Sequence, residues 1–202
     1  MIRPISKDSP LMLASASPRR RQLLRQLRIP FRTVASRVTE NTLSRDPLAN
    51  ARLLAEAKAR AVIAKCEDRW ILGADTIVVL GRTVLGKPED QDHAFSMLRQ
   101  LSGREHRVIT GVCLVAPGPR KPRSQATVTR VTFKTLTKKE ILGYIATGEP
   151  FGKAGGYGIQ GIGAFLVKGI CGSYTNVVGL PLCALVNALL AAGAIEEFPI
   201  PR

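Results

Sequence analysis

The chain has 202 residues, with 30 Lys and Arg against 15 Asp and Glu, and a formal net charge of +15. Hydrophobic residues at 45% and charged residues at 22% make a globular composition, which excludes a disordered or collagen-like chain. A chain of this size hides roughly 70% of its unfolded surface, so it needs no disulfide or metal to fold. At about 150 residues per domain, the length fits one domain, 1–202, with residues 1–10 as a flexible N-terminal extension.

In chain order the pattern alternates strand and helix and predicts an α/β fold. Leu11–Ala14 is a short apolar run that reads as the first strand, and Ser17-Pro18 supplies an N-cap and a first-turn proline for a helix through Leu27. Phe31–Ala35 reads as a second strand. Asp46-Pro47 repeats the cap and opens a helix to Lys65, with Leu48, Ala51, Leu54, Ala55 and Val62 on its apolar side. Trp70–Leu80 is the longest apolar run and reads as a strand ending in a two-residue turn, Gly81-Arg82. Asp90–Leu101 is helical, with acids in its first turn. Val108–Val115 and Ala126–Phe133 are strands joined by the turn-rich Pro117–Pro122, and Thr137-x-x-Glu140 is a capping box for a helix to Ala146. A glycine-rich loop, a strand near Ala164–Ile170 and a terminal helix complete the chain. Gly169–Ile195 carries no charge, but Ser173-Tyr174-Thr175-Asn176, Gly179 and Pro181 interrupt it, leaving Pro181–Ala192 as a buried core helix rather than a membrane span.

Cys66, Cys113, Cys171 and Cys183 never form CxxC, the pattern of buried thiols in a reducing compartment. Met1–Pro10 holds Asp8, two prolines and no apolar core, unlike a signal peptide, so the expected location is the cytoplasm.

Three segments carry chemistry. Ser15-Ala16-Ser17-Pro18-Arg19-Arg20-Arg21 places three cations in a helix's first turn, where each opposes the macrodipole by roughly 0.3–1 kcal/mol. Backbone N–H groups, serine hydroxyls and arginine forks meeting after a strand suit a phosphate; the plainer alternative is a basic, exposed helix end. Gly73-Ala74-Asp75-Thr76 sets a carboxylate inside an apolar strand, where it is either satisfied by a neighbouring hydroxyl or holds a metal or catalytic water. Lys87 follows in a Gly/Pro turn, and Glu40, Glu56 and Lys58 offer further charge. Gly152 to Gly163 is half glycine and implies positive φ or close backbone approach. Its Gly156-Tyr-Gly158-Ile-Gln-Gly161 matches GxGxxG but follows no strand, and no acid occurs between Glu149 and Glu196 to bind a ribose. The Gly148–Ala154 segment is one residue short of a P-loop and has Ala where Ser or Thr is needed.

Taken in order, Leu13-Ala-Ser-Ala-Ser-Pro-Arg-Arg20, Leu54-Ala-Glu-Ala-Lys58-Ala, Gly73-Ala-Asp-Thr76, Gly86-Lys-Pro88, Leu101-Ser-Gly-Arg-Glu-His106, Lys153-Ala-Gly-Gly-Tyr-Gly-Ile-Gln-Gly161 and Val178-Gly-Leu-Pro-Leu182 resemble the Maf family of nucleoside triphosphate pyrophosphatases. The resemblance implies a Maf/inosine-triphosphatase-like fold: a twisted mixed sheet flanked by helices, with two lobes around a cleft. It implies metal-dependent hydrolysis of a nucleoside triphosphate to monophosphate and pyrophosphate, a nucleotide-pool housekeeping role. Thr76 and Gln160 are similar to the branch acting on dTTP and UTP, whereas the branch acting on 7-methyl-GTP has Gln and Glu there. A Gln amide both donates and accepts, as a pyrimidine face requires, whereas guanine's adjacent N–H donors suit a carboxylate.

By resemblance, Asp75 is the proton acceptor for the attacking water, and Arg19, Thr76 and Gln160 set substrate choice. Ser15, Arg20, Lys58, Lys87 and Lys153 are expected at the triphosphate, with Glu40 and Asp75 at a divalent cation, Mg or Mn. The resemblance also implies a homodimer. Gly152 departs from the family's usual Asp, and Gly81-Arg82 from its commoner Asn/Asp-Gly turn. Two rival readings follow: another modified nucleotide such as 7-methyl-GTP as substrate, or a division regulator or nucleic-acid binder exploiting the charge. The chain lacks a helix-turn-helix pattern, zinc spacing or aromatic stacking run, which argues against nucleic acid as a partner.

Overall fold

The computed structural model describes residues 3–36, 38, 44–66, 68–119 and 121–200. Its elements run β1 (Leu11–Ala14), α1 (Pro18–Gln26), β2 (Phe31–Thr33), α2 (Pro47–Arg60), β3 (Ile71–Leu80), β4 (Thr83–Leu85), α3 (Gln91–Leu101), β5 (Glu105–Val115), β6 (Arg123–Phe133), α4 (Lys138–Ala146), β7 (Val167–Cys171), α5 (Tyr174–Val178) and α6 (Leu182–Ala191). The strands form a seven-stranded mixed sheet of order β2-β1-β3-β5-β6-β7, with β4 paired to β3. β1 is parallel to β2 and β3, while β3–β4 and β6–β7 are antiparallel.

The predicted caps are all present. Ser17 Oγ accepts from the Arg20 N–H at 3.4 Å, and the Asp46 carboxylate accepts from the Leu48 and Ala49 N–H groups at 3.2 and 3.1 Å. Thr137 and Glu140 close a reciprocal capping box. Such caps contribute about 1 kcal/mol each. β3 is buried almost without alternation, as a central strand covered on both faces should be. Leu80 pairs with Thr83, so Gly81-Arg82 is the two-residue turn, with Gly81 at φ 60°.

The chain divides by its internal contacts into two compact units, one of residues 1–75, 110–127 and 179–202, the other of residues 76–109 and 128–178. In the first unit, Ala14, Ala55, Ala59, Val62, Cys66, Ile71, Cys113 and Val115 form a core cluster. Helix α2 faces the sheet with Ala51, Ala55 and Ala59, four residues apart and fully buried. It lies so close that a Cβ on Gly73 would stand 2.1 Å from the Ala55 carbonyl oxygen, and one on Gly111 2.0 Å from that of Ala51. In the second unit the core gathers Val78, Leu98, Val108, Phe133, Tyr144 and Tyr157 with their neighbours.

Near the N-terminus the Ile5 N–H donates to Ala194 O at 2.7 Å, and Trp70 Nε1 to Arg3 O at 3.0 Å. Several expectations about the elements need correction. β2 stops at Thr33, because β1 offers it only three partners. Helix α2 ends at Arg60, and a tighter turn at Ile63–Lys65 lets Val62 and Cys66 both reach the core. Residues 162–166 wind into a 3-10 turn instead of starting the last strand, and α5 was not foreseen. Helix α6 buries one edge, with Leu185 and Leu189 inside and Leu190 37% exposed, so it is half-buried rather than a core helix. Cys171 and Cys183 are exposed; only Cys66 and Cys113 are buried thiols. Among the described residues, no helix is long and apolar enough to cross a membrane.

Candidate active site

In the first unit the functional side chains come from the end of β1, the start of α1, the last turn of α2 and β3. The turn after β1 curls on itself: Ser15 Oγ accepts the Ser17 N–H at 3.2 Å and Arg20 Nη1 at 3.2 Å. Arg20 Nε donates to the Gly179 carbonyl at 2.8 Å, so this guanidinium, 8% exposed, pins the β1–α1 turn to the Gly179-Leu180-Pro181 segment. Arg19 is half-buried, and desolvation pushes its guanidinium below its ordinary value. Arg21 Nε is buried without a hydrogen-bond partner among the described residues, and the first turn of α1 holds no acid. Cationic charge therefore gathers at a helix N-terminus without an acidic residue of the helix to balance it, as an anion-binding end would have it.

The Gly73 and Gly111 contacts decide what α2 brings to the sheet. With backbone against backbone, Lys58, one residue before the buried Ala59, reaches Asp75 on β3. Its Nζ donates to Asp75 Oδ1 at 2.5 Å, with the two residues 7% and 5% exposed. From sequence the alternatives for Asp75 are a neighbouring hydroxyl or a metal or catalytic water; the structure sets an ammonium against it instead. The pair is buried, so removing Lys58 would leave the Asp75 carboxylate without its ammonium in a desolvated place. The ammonium engages Oδ1 and so fixes the orientation of the carboxylate.

In the second unit, Thr76 follows on β3 and is half-buried. Lys87 is exposed in the turn after β4, whose Gly86 carbonyl accepts the Gly155 N–H at 2.8 Å; the glycine-rich loop thus docks on the lysine-bearing turn. Gly155 takes φ 71°, and a Cβ there would press on Val78 at 3.0 Å, so glycine is required on both counts. Lys153 Nζ donates to the Glu149 carbonyl oxygen. Tyr157, in the same loop, is buried beside Phe133 and meets His106 Nε2 at 2.8 Å, which anchors the loop to β5. Gln160 lies exposed between Gly158 and Gly161. The GxGxxG match follows a 3-10 turn and no strand, in line with its rejection as a dinucleotide fingerprint. Gly152 sits at φ 72° in open space, a left-handed position that Asp also tolerates better than most residues, so the departure there preserves the turn.

Glu40 lies outside the described residues. Among the described residues, no three His, Cys, Asp or Glu side chains gather in a metal-binding group. Sequence reasoning missed Glu149 and Tyr144. Glu149 accepts the N–H groups of Ile162 and Gly163 at 2.8 and 3.0 Å and the Tyr144 hydroxyl at 3.0 Å. Burial alone would raise its carboxyl, but these donors and nearby Lys153 outweigh that and hold it below the usual carboxylate range. The signal was available: Glu149 is the last acid before a run of glycines dense in N–H donors.

The dTTP/UTP pyrophosphatase of Syntrophotalea carbinolica is 50% identical over 202 residues, covering 98% of this chain and 92% of that protein. That of Moorella thermoacetica is 52% identical over 190 residues, covering 93% and 97%. The solved nucleoside-triphosphatase / dITP/XTP pyrophosphatase from Mycobacterium abscessus matches with a TM-score of 0.46 at 17% identity, over 95% of this chain and 100% of that one. The Maf-like protein family matches residues 10–192, a span that holds every site residue named above. On that span and on relatives half identical along nearly its whole length, the chain belongs to the Maf family.

Proposed function

We propose that the protein hydrolyses a pyrimidine nucleoside triphosphate, dTTP or UTP, to the monophosphate and pyrophosphate. The observation that carries this reading is the buried Lys58–Asp75 pair, a carboxylate held on a central strand by an ammonium, in a chain whose half-identical relatives bear the name dTTP/UTP pyrophosphatase.

In this reading Asp75 accepts a proton from water as the water oxygen bonds the α-phosphorus. The bond from that phosphorus to the α–β bridging oxygen breaks, and its electron pair leaves with pyrophosphate. General-base help of this kind is worth about 10²–10⁴-fold. Lys58 fixes the orientation of Asp75 and adds positive charge there. Ser15 and the cationic start of α1, Arg20 included, answer phosphate charge, as do Lys87 and Lys153. Arg19, Thr76 and Gln160 select the base, with the Gln160 amide offering both a donor and an acceptor.

One carboxylate together with substrate phosphates is a regular way to hold a magnesium-sized ion, so Asp75 fits Mg or Mn once a triphosphate is bound. Such an ion polarises phosphoryl oxygens and neutralises charge on them.

The test is pyrophosphate release from dTTP, UTP, CTP, GTP and 7-methyl-GTP, with magnesium and then manganese. Release chiefly from dTTP and UTP is the expected result. Release chiefly from 7-methyl-GTP would overturn the roles given to Thr76 and Gln160, and no release from any triphosphate would overturn the reaction.

A further inference from the structure

We propose that Glu149 is a positioning residue for base selection: its carboxylate holds both flanks of the six-residue segment, Gly158–Gly163, that presents Gln160. This rests on the reading of Gln160 as a base-selecting side chain.

Gly158 and Gly163 bracket Gln160, and the ties at both ends lead back to one group. On the far side, Glu149 Oε2 accepts the Ile162 N–H at 2.8 Å and Oε1 accepts the Gly163 N–H at 3.0 Å. On the near side the link runs through one phenol. Tyr144 Oη accepts the Gly158 N–H at 3.1 Å and donates its own hydrogen to Glu149 Oε1 at 3.0 Å. An ionised carboxylate is acceptor-only, and here it meets three donors. The glycines are cut to fit. A Cβ on Gly161 would stand 2.2 Å from Glu149 Oε2, and one on Gly163 2.5 Å from Tyr144 Oη.

Glu149 also ties the loop's lysine to the same node, since Lys153 Nζ donates to its carbonyl oxygen. Tyr144 itself is buried in the core of this unit, packed from α4, so the node is referenced to a rigid element. Gln160 is therefore exposed at the tip of a segment whose shoulders cannot drift. A side chain that discriminates bases by hydrogen-bond direction needs that fixity, because a displaced amide accepts wrong partners as readily as right ones.

The experiment measures kcat and KM for dTTP, UTP, CTP and GTP with the wild type, Glu149→Gln, Tyr144→Phe and Gln160→Ala. Amide hydrogen exchange is followed at Gly158, Ile162 and Gly163 in each variant. Glu149→Gln turns an acceptor oxygen into a donor facing N–H groups, so the preference for dTTP and UTP over CTP and GTP is expected to fall about tenfold. The three amides exchange faster. Tyr144→Phe gives a smaller fall in the same direction and faster exchange at Gly158, and it decides the matter if Glu149→Gln does not fold.

Retained preference in both variants, beside a lost preference in Gln160→Ala, would overturn the role of Glu149 while leaving the role of Gln160 standing. Retained preference in Gln160→Ala would overturn both. Unchanged exchange in Glu149→Gln and Tyr144→Phe would overturn the proposal on its own. A purely structural role would lower kcat for all four substrates alike and leave their ratios unmoved.

Discussion

At the scale of single residues, the buried Lys58–Asp75 pair mixes two roles that substitution can separate. Asp75→Asn takes the carboxylate away from a buried ammonium, so it should lower stability as well as remove most of the activity. Lys58→Met leaves the buried carboxylate without its ammonium and should cost about 3–5 kcal/mol. The double variant carries neither charge and should recover most of the stability, as measured by urea unfolding, while staying at least 100-fold below wild-type turnover. Turnover that returned with stability would mean that the pair serves only the fold. His106 makes a second residue-scale case. Burial pushes its imidazole down from 6.5 to about 4. Between those values the unfolded chain binds a proton that the folded chain refuses. The contribution is thus complete above pH 6.5 and is lost as pH falls toward 4, by on the order of 3 kcal/mol. Unfolding free energies of wild type and His106→Gln should diverge less at pH 4.5 than at pH 7.5; equal gaps at both would remove histidine burial as the cause.

At the scale of elements, the close seating of α2 on β3 and β5 should be the least forgiving contact in the first unit. Gly73→Ala drives a methyl group toward the Ala55 carbonyl oxygen, 2.1 Å away, and backbone cannot step aside as a flexible side chain can. We expect a loss of about 3 kcal/mol, at the upper end of overpacking, with reduced turnover because Lys58 rides on the displaced helix. Gly143 in α4 is the control. Nothing stands within 4 Å of a Cβ there, so Gly143→Ala should raise stability by nearly 1 kcal/mol through helix propensity. Thermal unfolding of the two variants checks both signs. These elements also show what was legible in the sequence. Caps are local chemistry, and Ser17, Asp46 and Thr137 announced their helices correctly. The helix–sheet seating was not legible, because a glycine in a strand signals close approach without naming the residue that approaches. Of the Glu149 node only the acid ahead of an N–H-rich glycine run was legible; which amides it bonds, 13 and 14 positions onward, leaves no periodicity. The Arg19–Arg21 run stands out in the sequence as basic at a helix start, yet only the structure shows Arg20 bonded to Gly179.

At the scale of the whole molecule, 30 basic residues stand against 15 acidic ones, so half of the positive charge has no acidic residue to balance it. Among the described residues, several of the ion pairs lie at the surface: Arg60–Glu56, Arg130–Glu105 and Lys134–Glu140 are all partly or largely exposed. Exposed pairs contribute little, about 0–1 kcal/mol. What a net charge of +15 does do is attract a polyanion from a distance, and a nucleoside triphosphate is one. Such attraction is long-ranged only in dilute salt, because the Debye length shrinks from about 30 Å at 0.01 M to about 8 Å at 0.15 M. Raising sodium chloride across that range, at fixed free divalent cation, should lower kcat/KM for dTTP by about tenfold, mostly through KM, with kcat nearly level. The fall should track ionic strength and not the identity of the added anion. An anion-specific effect, strong with phosphate and weak with chloride, would point instead to competition at Ser15 and the arginines of α1. A KM indifferent to salt would leave the charge without a part in catalysis. The same titration run with duplex DNA as competitor separates the rival reading: a nucleic-acid binder should lose affinity for DNA steeply with salt and inhibit itself at low ionic strength. An enzyme that uses its charge only to gather small polyanions should show the slope in KM with DNA left out altogether.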